Sequence, residues 1–190
     1  MKLLSRTIAA LFMLMCLLTG GIVEAASAET VVNETELARV KRLAIIYPDY
    51  FKTLEKEPTI NEFMTAIFDA SKVAKDTYVL SYEDMATRIK SDTGIDIRVL
   101  PKMDARKIFK EHVYKYADGY VMVTLANNAR INMFCDVYAV NSNELLYTLR
   151  IESGKRDEDK NVKNYKTIAE EFYKTFDAAV KSAEKKKNKN

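Results

Sequence analysis

The sequence is poor in the residues that build most catalytic and cofactor sites. Its 190 residues include no tryptophan, one histidine, two cysteines, three prolines and five glycines. With a single histidine and two distant cysteines, no set of residues has the spacing of a zinc site. So few glycines also exclude the glycine-rich loops that hold dinucleotides or phosphates. We therefore expect neither a metal nor a cofactor.

The low cysteine count excludes a fold held together by disulfides. Cys16 lies in an apolar N-terminal segment and Cys135 lies in the body of the chain. If that segment is removed, one cysteine remains and no intrachain disulfide can form. An exported domain of this kind depends on its core for stability, which suits a bacterial envelope better than a cysteine-rich secreted module.

The N-terminal segment has the three parts of a secretory signal peptide in the usual order. Lys2 and Arg6 provide a basic region, residues 8–18 are apolar, and the A-x-A pattern at 26–28 is a cleavage site. The sequence therefore predicts export to the periplasm or the extracellular space. Cleavage after Ala28 would leave no stable membrane anchor.

Two other uses of this segment stay open. An uncleaved anchor is one, because no charged residue falls between Arg6 and Glu24 and such a run approaches the length that spans a bilayer. A lipid anchor on Cys16 is the other. The bulky residues 13–15 before this cysteine disfavour lipoprotein processing.

Length and charge predict one small domain after the signal peptide. Removing 28 of 190 residues leaves 162, which is enough for one core but not for two ordinary domains. We divide them into a lead-in at 29–42, a single α/β domain at 43–184 and a basic tail at 185–190. Since Lys2, Arg6 and Glu24 are lost, the formal net charge falls from +3 to +2, which argues against nucleic acid as a partner.

The first half of the domain alternates between short apolar runs and amphipathic stretches. Strands are predicted at 43–47 and 77–82. Thr59 and Glu62 have the spacing of a capping box at the start of a helix, and a second helix is predicted at 83–91 after a similar box. The order strand, helix, strand, helix predicts parallel neighbouring strands.

The next stretch is less regular. Residues 95–100 alternate, so they predict either a short strand or a connector before Pro101. A third helix is predicted from Asp104, with His112 on its apolar face.

Three strands then follow without helices between them, at about 120–126, 131–140 and 145–152. Asn-rich links of hairpin length predict an antiparallel meander, and the alternation predicts one core face and one partly wet face. A long helix at 161–184 would cover the sheet, or its apolar stripe would form a coiled-coil seam. The predicted fold is α/β (α+β), a mixed sheet of about five strands with helices covering it.

Candidate catalytic residues are scattered. His112 reads as a core histidine and Cys135 as a small apolar side chain. One acidic pair, Glu83 with Asp84, lies in a helix cap. The acidic run 157–159 lies in a charged loop at 153–160 that is expected to be solvated. No catalytic, cofactor-binding or metal-binding residue is assigned. The eleven tyrosines suit half-buried positions and a contact surface.

The late strands carry a family resemblance. YADGYVMVTL (116–125) and INMFCDVYAVNSNELLYTLRIES (131–153) resemble the α/β envelope domain shared by curli-secretion lipoproteins, penicillin-binding-protein activators and the N-terminal domain of the Tol propeller protein. Ala117-Asp118, Asp136 and Leu146-Tyr147 occupy the matching places. The chain departs from the pattern by lacking a lipobox and the usual hairpin glycine.

The resemblance implies an accessory or interaction role in the bacterial envelope, with no catalytic residues to carry over. The sequence thus predicts an exported, non-enzymatic protein that binds an envelope protein or a cell-wall component. The alternatives are a small-molecule-binding envelope protein, with a pocket lined by tyrosines, and a hydrolase with an unfamiliar site centred on His112.

Overall fold

A computed structural model describes residues 26–154 and 157–188, so most of the predicted signal peptide (1–25) lies outside the described residues. The described part contains seven strands and five α-helices. In chain order these are β1 Ala26–Val31, α1 Glu34–Leu37, β2 Arg42–Ile45, β3 Asp49–Phe51, α2 Ile60–Ala70, β4 Tyr78–Leu80, α3 Tyr82–Thr93, α4 Lys102–His112, β5 Gly119–Asn127, β6 Ile131–Ala139, β7 Leu145–Ser153 and α5 Val162–Lys187.

The strands form one mixed sheet in the order β1-β7-β6-β5-β2-β4, and β3 pairs with β5 beyond the end of β2. Strand β2 is parallel to both β4 and β5, whereas β5, β6, β7 and β1 pair in antiparallel fashion. The predicted α/β class, the parallel neighbours and the meander are confirmed. The sheet has two strands more than the five predicted.

The two unexpected strands lack the hydrophobic pattern by which strands are recognised. Strand β1 (ASAETV) lies at the sheet edge and is exposed from Ser27 to Thr30, so it has no inward apolar row. Strand β3 is three residues long and follows Pro48. The predicted lead-in at 29–42 therefore contains an edge strand and helix α1, whose Leu37 is fully buried.

Two other stretches differ from their predicted structure. Residues 95–100 contain a 3-10 turn at Ile97–Val99 instead of a strand, because the Asp96 side chain accepts a hydrogen bond from the Arg98 backbone N–H. The predicted basic tail is helical as far as Lys187. There Lys186 pairs with Glu34 of α1, which ties the end of the last helix to the start of the domain.

Local capping signals determine where α2 and α3 begin, as the sequence predicts. Thr59 with Glu62 and Ser81 with Asp84 form complete capping boxes at α2 and α3. Gly94 ends α3 with φ +77°, a left-handed conformation that glycine adopts without strain. Helix α4 begins at Lys102 after Pro101, two residues before the predicted Asp104.

The sheet has a hydrophobic core on each face. The larger core lies under α2 and α5, and the smaller core lies under α3 and α4. Helix α5 buries Tyr165, Phe172 and Phe176 in the larger core, so its apolar stripe covers the sheet and is not a coiled-coil seam.

A buried polar cluster closes one end of the larger core. The Glu57 carboxylate accepts hydrogen bonds from Thr53 and from Asn127 Nδ2, and it lies 3.7 Å from Lys160 Nζ. Asn127 Nδ2 also donates to the Tyr165 hydroxyl at 2.5 Å. The prediction that 153–160 is a solvated loop is therefore wrong for Lys160, which is 6% exposed.

Candidate interaction surface

One face of the antiparallel meander carries a mixed set of aromatic, charged and hydroxyl side chains. The residues that alternate with the core positions share this face, which we call the meander face: Met122, Thr124, Ala126, Asn132, Phe134, Asp136, Tyr138, Thr148, Arg150 and Glu152. All are half-buried except Arg150, which is exposed. The sequence alternation predicted this partly wet face but did not identify it as a site.

Helices cover only one end of the meander face. Met122 and Tyr138 pack against the smaller core under α4, where Tyr138 stacks on Tyr120 with ring centroids 5.3 Å apart. Burial and the neighbouring Tyr138 raise the pKa of Tyr120 to about 12. Residues farther along the strands lie outside this core. Among the described residues, neither of the two hydrophobic cores that the helices cover includes Phe134 or Arg150.

Arg150 organises the uncovered part of the face. Its guanidinium lies 5.4 Å from the centroid of the Phe134 ring, in the geometry of a cation–π contact. It also donates to Asn132 Oδ1 at 3.1 Å and to Glu152 at 3.2 Å. In the adjacent row, the Thr148 hydroxyl donates to Asp136 Oδ1 at 2.6 Å. These contacts hold the polar groups of the meander face in place.

An exposed aromatic side chain extends this surface at its edge. Phe51 of β3 is paired with Ala126, so it lies on the same face of the sheet. Its side chain is 59% exposed. Aromatic and arginine side chains are enriched in protein interfaces.

The predicted cleavage site lies at the border of this surface. Residues 26–28 belong to β1 and pair with Glu152, Ile151 and Arg150 of β7. Cleavage after Ala28 would shorten β1 to 29–31 and would leave the outer edge of β7 unpaired at 150–152. An unpaired strand edge readily accepts another strand, so processing would enlarge the surface next to Arg150.

The residues weighed as catalytic candidates occupy separate places in the fold. His112 ends α4 and is half-buried, with its Nδ1 atom buried and without a hydrogen-bond partner among the described residues. Cys135 is 1% exposed in the larger core, and burial raises the pKa of its thiol, which disfavours the reactive thiolate. The structure does not bring these two residues together.

The acidic candidates have structural contacts. The Asp84 carboxylate completes the capping box of α3 by accepting a hydrogen bond from the Ser81 backbone N–H, and Glu83 lies 3.3 Å from Arg98. Asp157 lies 3.3 Å from Lys160. In the part of the chain that the structure describes, no three His, Cys, Asp or Glu side chains are grouped so that they could hold a metal ion.

Asp118, one of the residues that carry the family resemblance, clamps the start of β2. Its carboxylate accepts hydrogen bonds from the backbone N–H groups of Lys41 and Arg42 at 3.1 and 2.8 Å, and from Arg42 Nη2 at 2.9 Å. Burial opposes its ionisation, but these contacts outweigh burial and lower the pKa of Asp118. Asp118 therefore has a structural role at this position.

We expect Asp118→Asn to lower the free energy of unfolding by about 1–2 kcal/mol at neutral pH, since charge-assisted hydrogen bonds are lost. A lowered native pKa stabilises the fold above the unfolded carboxyl pKa of about 4, and this contribution disappears as the pH falls through the native value. Urea unfolding at several pH values should show the two proteins converging in acid. A difference in the free energy of unfolding that does not change with pH would contradict this role of the Asp118 carboxylate.

Comparison with known proteins yields only distant structural similarity. No protein-family profile matches the chain, and no curated protein matches it. A PelC dodecamer from Paraburkholderia phytofirmans gives a TM-score of 0.42 at 5% identity, covering 82% of this chain and 96% of that chain. The LpoB C-terminal domain from Escherichia coli gives a TM-score of 0.45 at 11% identity, covering 60% of this chain and 84% of that chain.

A hypothetical protein from Chlamydia trachomatis gives a TM-score of 0.44 at 9% identity, covering 74% of this chain and 98% of that chain. The relation to the Tol propeller protein stays a prediction. Among the described residues, no helix combines the length and the hydropathy needed to span a bilayer.

Proposed function

We propose that this chain is an exported, non-enzymatic accessory protein of the bacterial envelope, and that its meander face binds a protein or cell-wall partner. The observation that supports this proposal is the uncovered patch formed by Phe134, Arg150 and exposed Phe51. Such a patch combines apolar area with a fixed charge, which is the composition typical of interface centres.

The arrangement of the patch favours recognition over catalysis. Arg150 is held by Asn132, Glu152 and the Phe134 ring, so little side-chain freedom remains to be lost on binding. Antiparallel sheets often leave one face in water, but an aromatic and arginine pair on that face provides a point of specific contact. The scattered positions of His112 and Cys135 also favour a non-enzymatic role.

Site-specific photocrosslinking in living cells tests this proposal. Replacing Phe134 or Phe51 by the photoreactive analogue p-benzoylphenylalanine keeps an aromatic side chain at each position. We expect both positions to yield the same adduct of defined mass with an envelope component. The matched control is Tyr78 on β4, which is 63% exposed but lies at the opposite edge of the sheet, and should yield no such adduct.

A charge reversal makes the test specific. Arg150→Glu is expected to reduce the adduct at Phe134 by about tenfold or more, because it reverses the charge at the centre of the patch. Because Arg150 is exposed, the melting temperature should change little. Equal adducts at all three positions, or no adduct at Phe134 under any growth condition, would argue against the meander face as the binding surface.

A further inference from the structure

A cleft on the other half of the sheet lies between α2 and α3. It has a volume of about 390 Å³ and is lined by Ile45, Asn61, Met64, Thr65, Phe68, Ser81, Tyr82 and Glu83. Met64 and Phe68 are half-buried, whereas Ile45 and Tyr82 are buried. The floor of the cleft is therefore apolar and aromatic, and its polar groups lie at the rim. Its volume falls in the range of small-molecule sites.

The topology of the sheet explains why a cleft forms there. Strands β2 and β4 are parallel neighbours, and the cleft opens at their carboxyl ends, beside Ile45 and Ser81. After β2 the chain passes through β3 to α2 on the larger core, whereas after β4 it enters α3 on the smaller core. Adjacent strands whose following helices pass to opposite faces create a crevice, and open α/β sheets commonly bind ligands at this point.

The charges around the cleft exclude the usual anionic ligand of such a crevice. Phosphate groups are bound by free N–H groups at a helix N-terminus. Here the capping boxes of α2 and α3 place the carboxylates of Glu62 and Asp84 at those positions. Among the residues that line the cleft, the charged one is Glu83, partly balanced by Arg98 at 3.3 Å. An anion at the mouth would meet like charge instead of N–H donors.

We propose that this cleft binds a small apolar molecule that carries no negative charge. The Met64, Phe68 and Tyr82 side chains provide apolar contacts for its body, and Asn61 and Thr65 provide hydrogen-bonding groups at the rim. The cleft is separate from the meander face, so this proposal does not depend on the proposed interaction function.

Two fluorescent probes with the same body but different charge test the proposal. N-phenyl-1-naphthylamine is neutral, and 1-anilinonaphthalene-8-sulfonate adds a sulfonate to the same rings. Titration of the purified protein should show saturable binding of the neutral probe at one site. The anionic probe should bind about tenfold more weakly or worse, because its sulfonate would meet the Glu83 carboxylate at the rim and the capped helix N-termini beside it. Equal affinities, or a signal that does not saturate, would overturn the proposal.

A pair of matched variants locates the binding site. Thr65 is an exposed helical residue at the cleft, and Thr167 is an exposed helical residue of α5 away from it. Thr65→Trp should fill the cleft and reduce binding of the neutral probe at least tenfold, whereas Thr167→Trp should leave it unchanged. Both variants should keep the melting temperature of the parent protein. Loss of binding in both variants, or in neither, would place the probe elsewhere and overturn the assignment.

Discussion

Replacing Lys160 by methionine is expected to lower the free energy of unfolding by about 3–5 kcal/mol, the range for removing one partner of a buried ion pair. Lys160 Nζ lies 3.7 Å from the Glu57 carboxylate and 3.3 Å from the Thr53 hydroxyl. The Lys160 side chain is 5% exposed and that of Glu57 is fully buried. Methionine fills a similar volume, so the loss would come mainly from the uncompensated charge of Glu57.

The pH dependence of this effect follows from the environment of Glu57. Burial opposes ionisation of Glu57, but hydrogen bonds from Asn127 and Thr53, with Lys160 nearby, lower its pKa in the native protein. Its contribution is therefore present above the unfolded carboxyl pKa of about 4.3, and is lost as the pH falls through the native value. The difference between the parent and Lys160→Met should shrink in acid, where Glu57 becomes neutral.

Urea unfolding of four proteins separates charge from packing. Adding Glu57→Gln to Lys160→Met removes both charges, and should recover part of the lost stability, since a neutral pair leaves no buried ion. Lys163→Met is the matched control, because Lys163 is exposed on the first turn of α5 and should change stability little. If Lys160→Met and Lys163→Met unfold at the same urea concentration, the buried pair does not stabilise the protein.

The parts of the fold that local chemistry specifies are predictable from the sequence. The boxes at Thr59 and Ser81 are set by residues three positions apart, and the meander follows from alternation between short polar turns. Strand β1 is different. Its exposed residues carry no apolar row, and it exists because β7 offers an unpaired edge more than a hundred positions away in the sequence.

The buried polar cluster shows the same limit. Lys160 lies in a charged loop that the sequence predicts to be solvated, and only the folded chain brings it together with Glu57 and Asn127. The meander face is an intermediate case. Alternation predicts that Asp136 and Arg150 point away from the core, but it does not predict how far α4 extends over the sheet. The uncovered part of the face is therefore a property of the tertiary structure.

Asp177→Ala is expected to be the second most damaging substitution, with a loss of about 3 kcal/mol, because it leaves one buried and two partly buried donors without an acceptor. Asp177 lies on α5 and is 7% exposed. Its carboxylate accepts hydrogen bonds from the Lys75 and Asp76 backbone N–H groups at 2.5 and 3.2 Å, and from the Thr77 hydroxyl at 2.6 Å. It thereby holds the loop before β4 against the last helix.

Two companion variants distinguish this role from a general effect on the helix. Asp177→Asn retains one carbonyl acceptor and should cost about 1 kcal/mol, less than the alanine variant. Lys174→Ala, at an exposed position of the same helix, should cost almost nothing. Hydrogen exchange should show faster opening at Lys75 and Asp76 in Asp177→Ala, since their N–H groups lose their acceptor. If exchange there were unchanged while stability fell, Asp177 would act through packing of α5 and not through the loop that leads into β4.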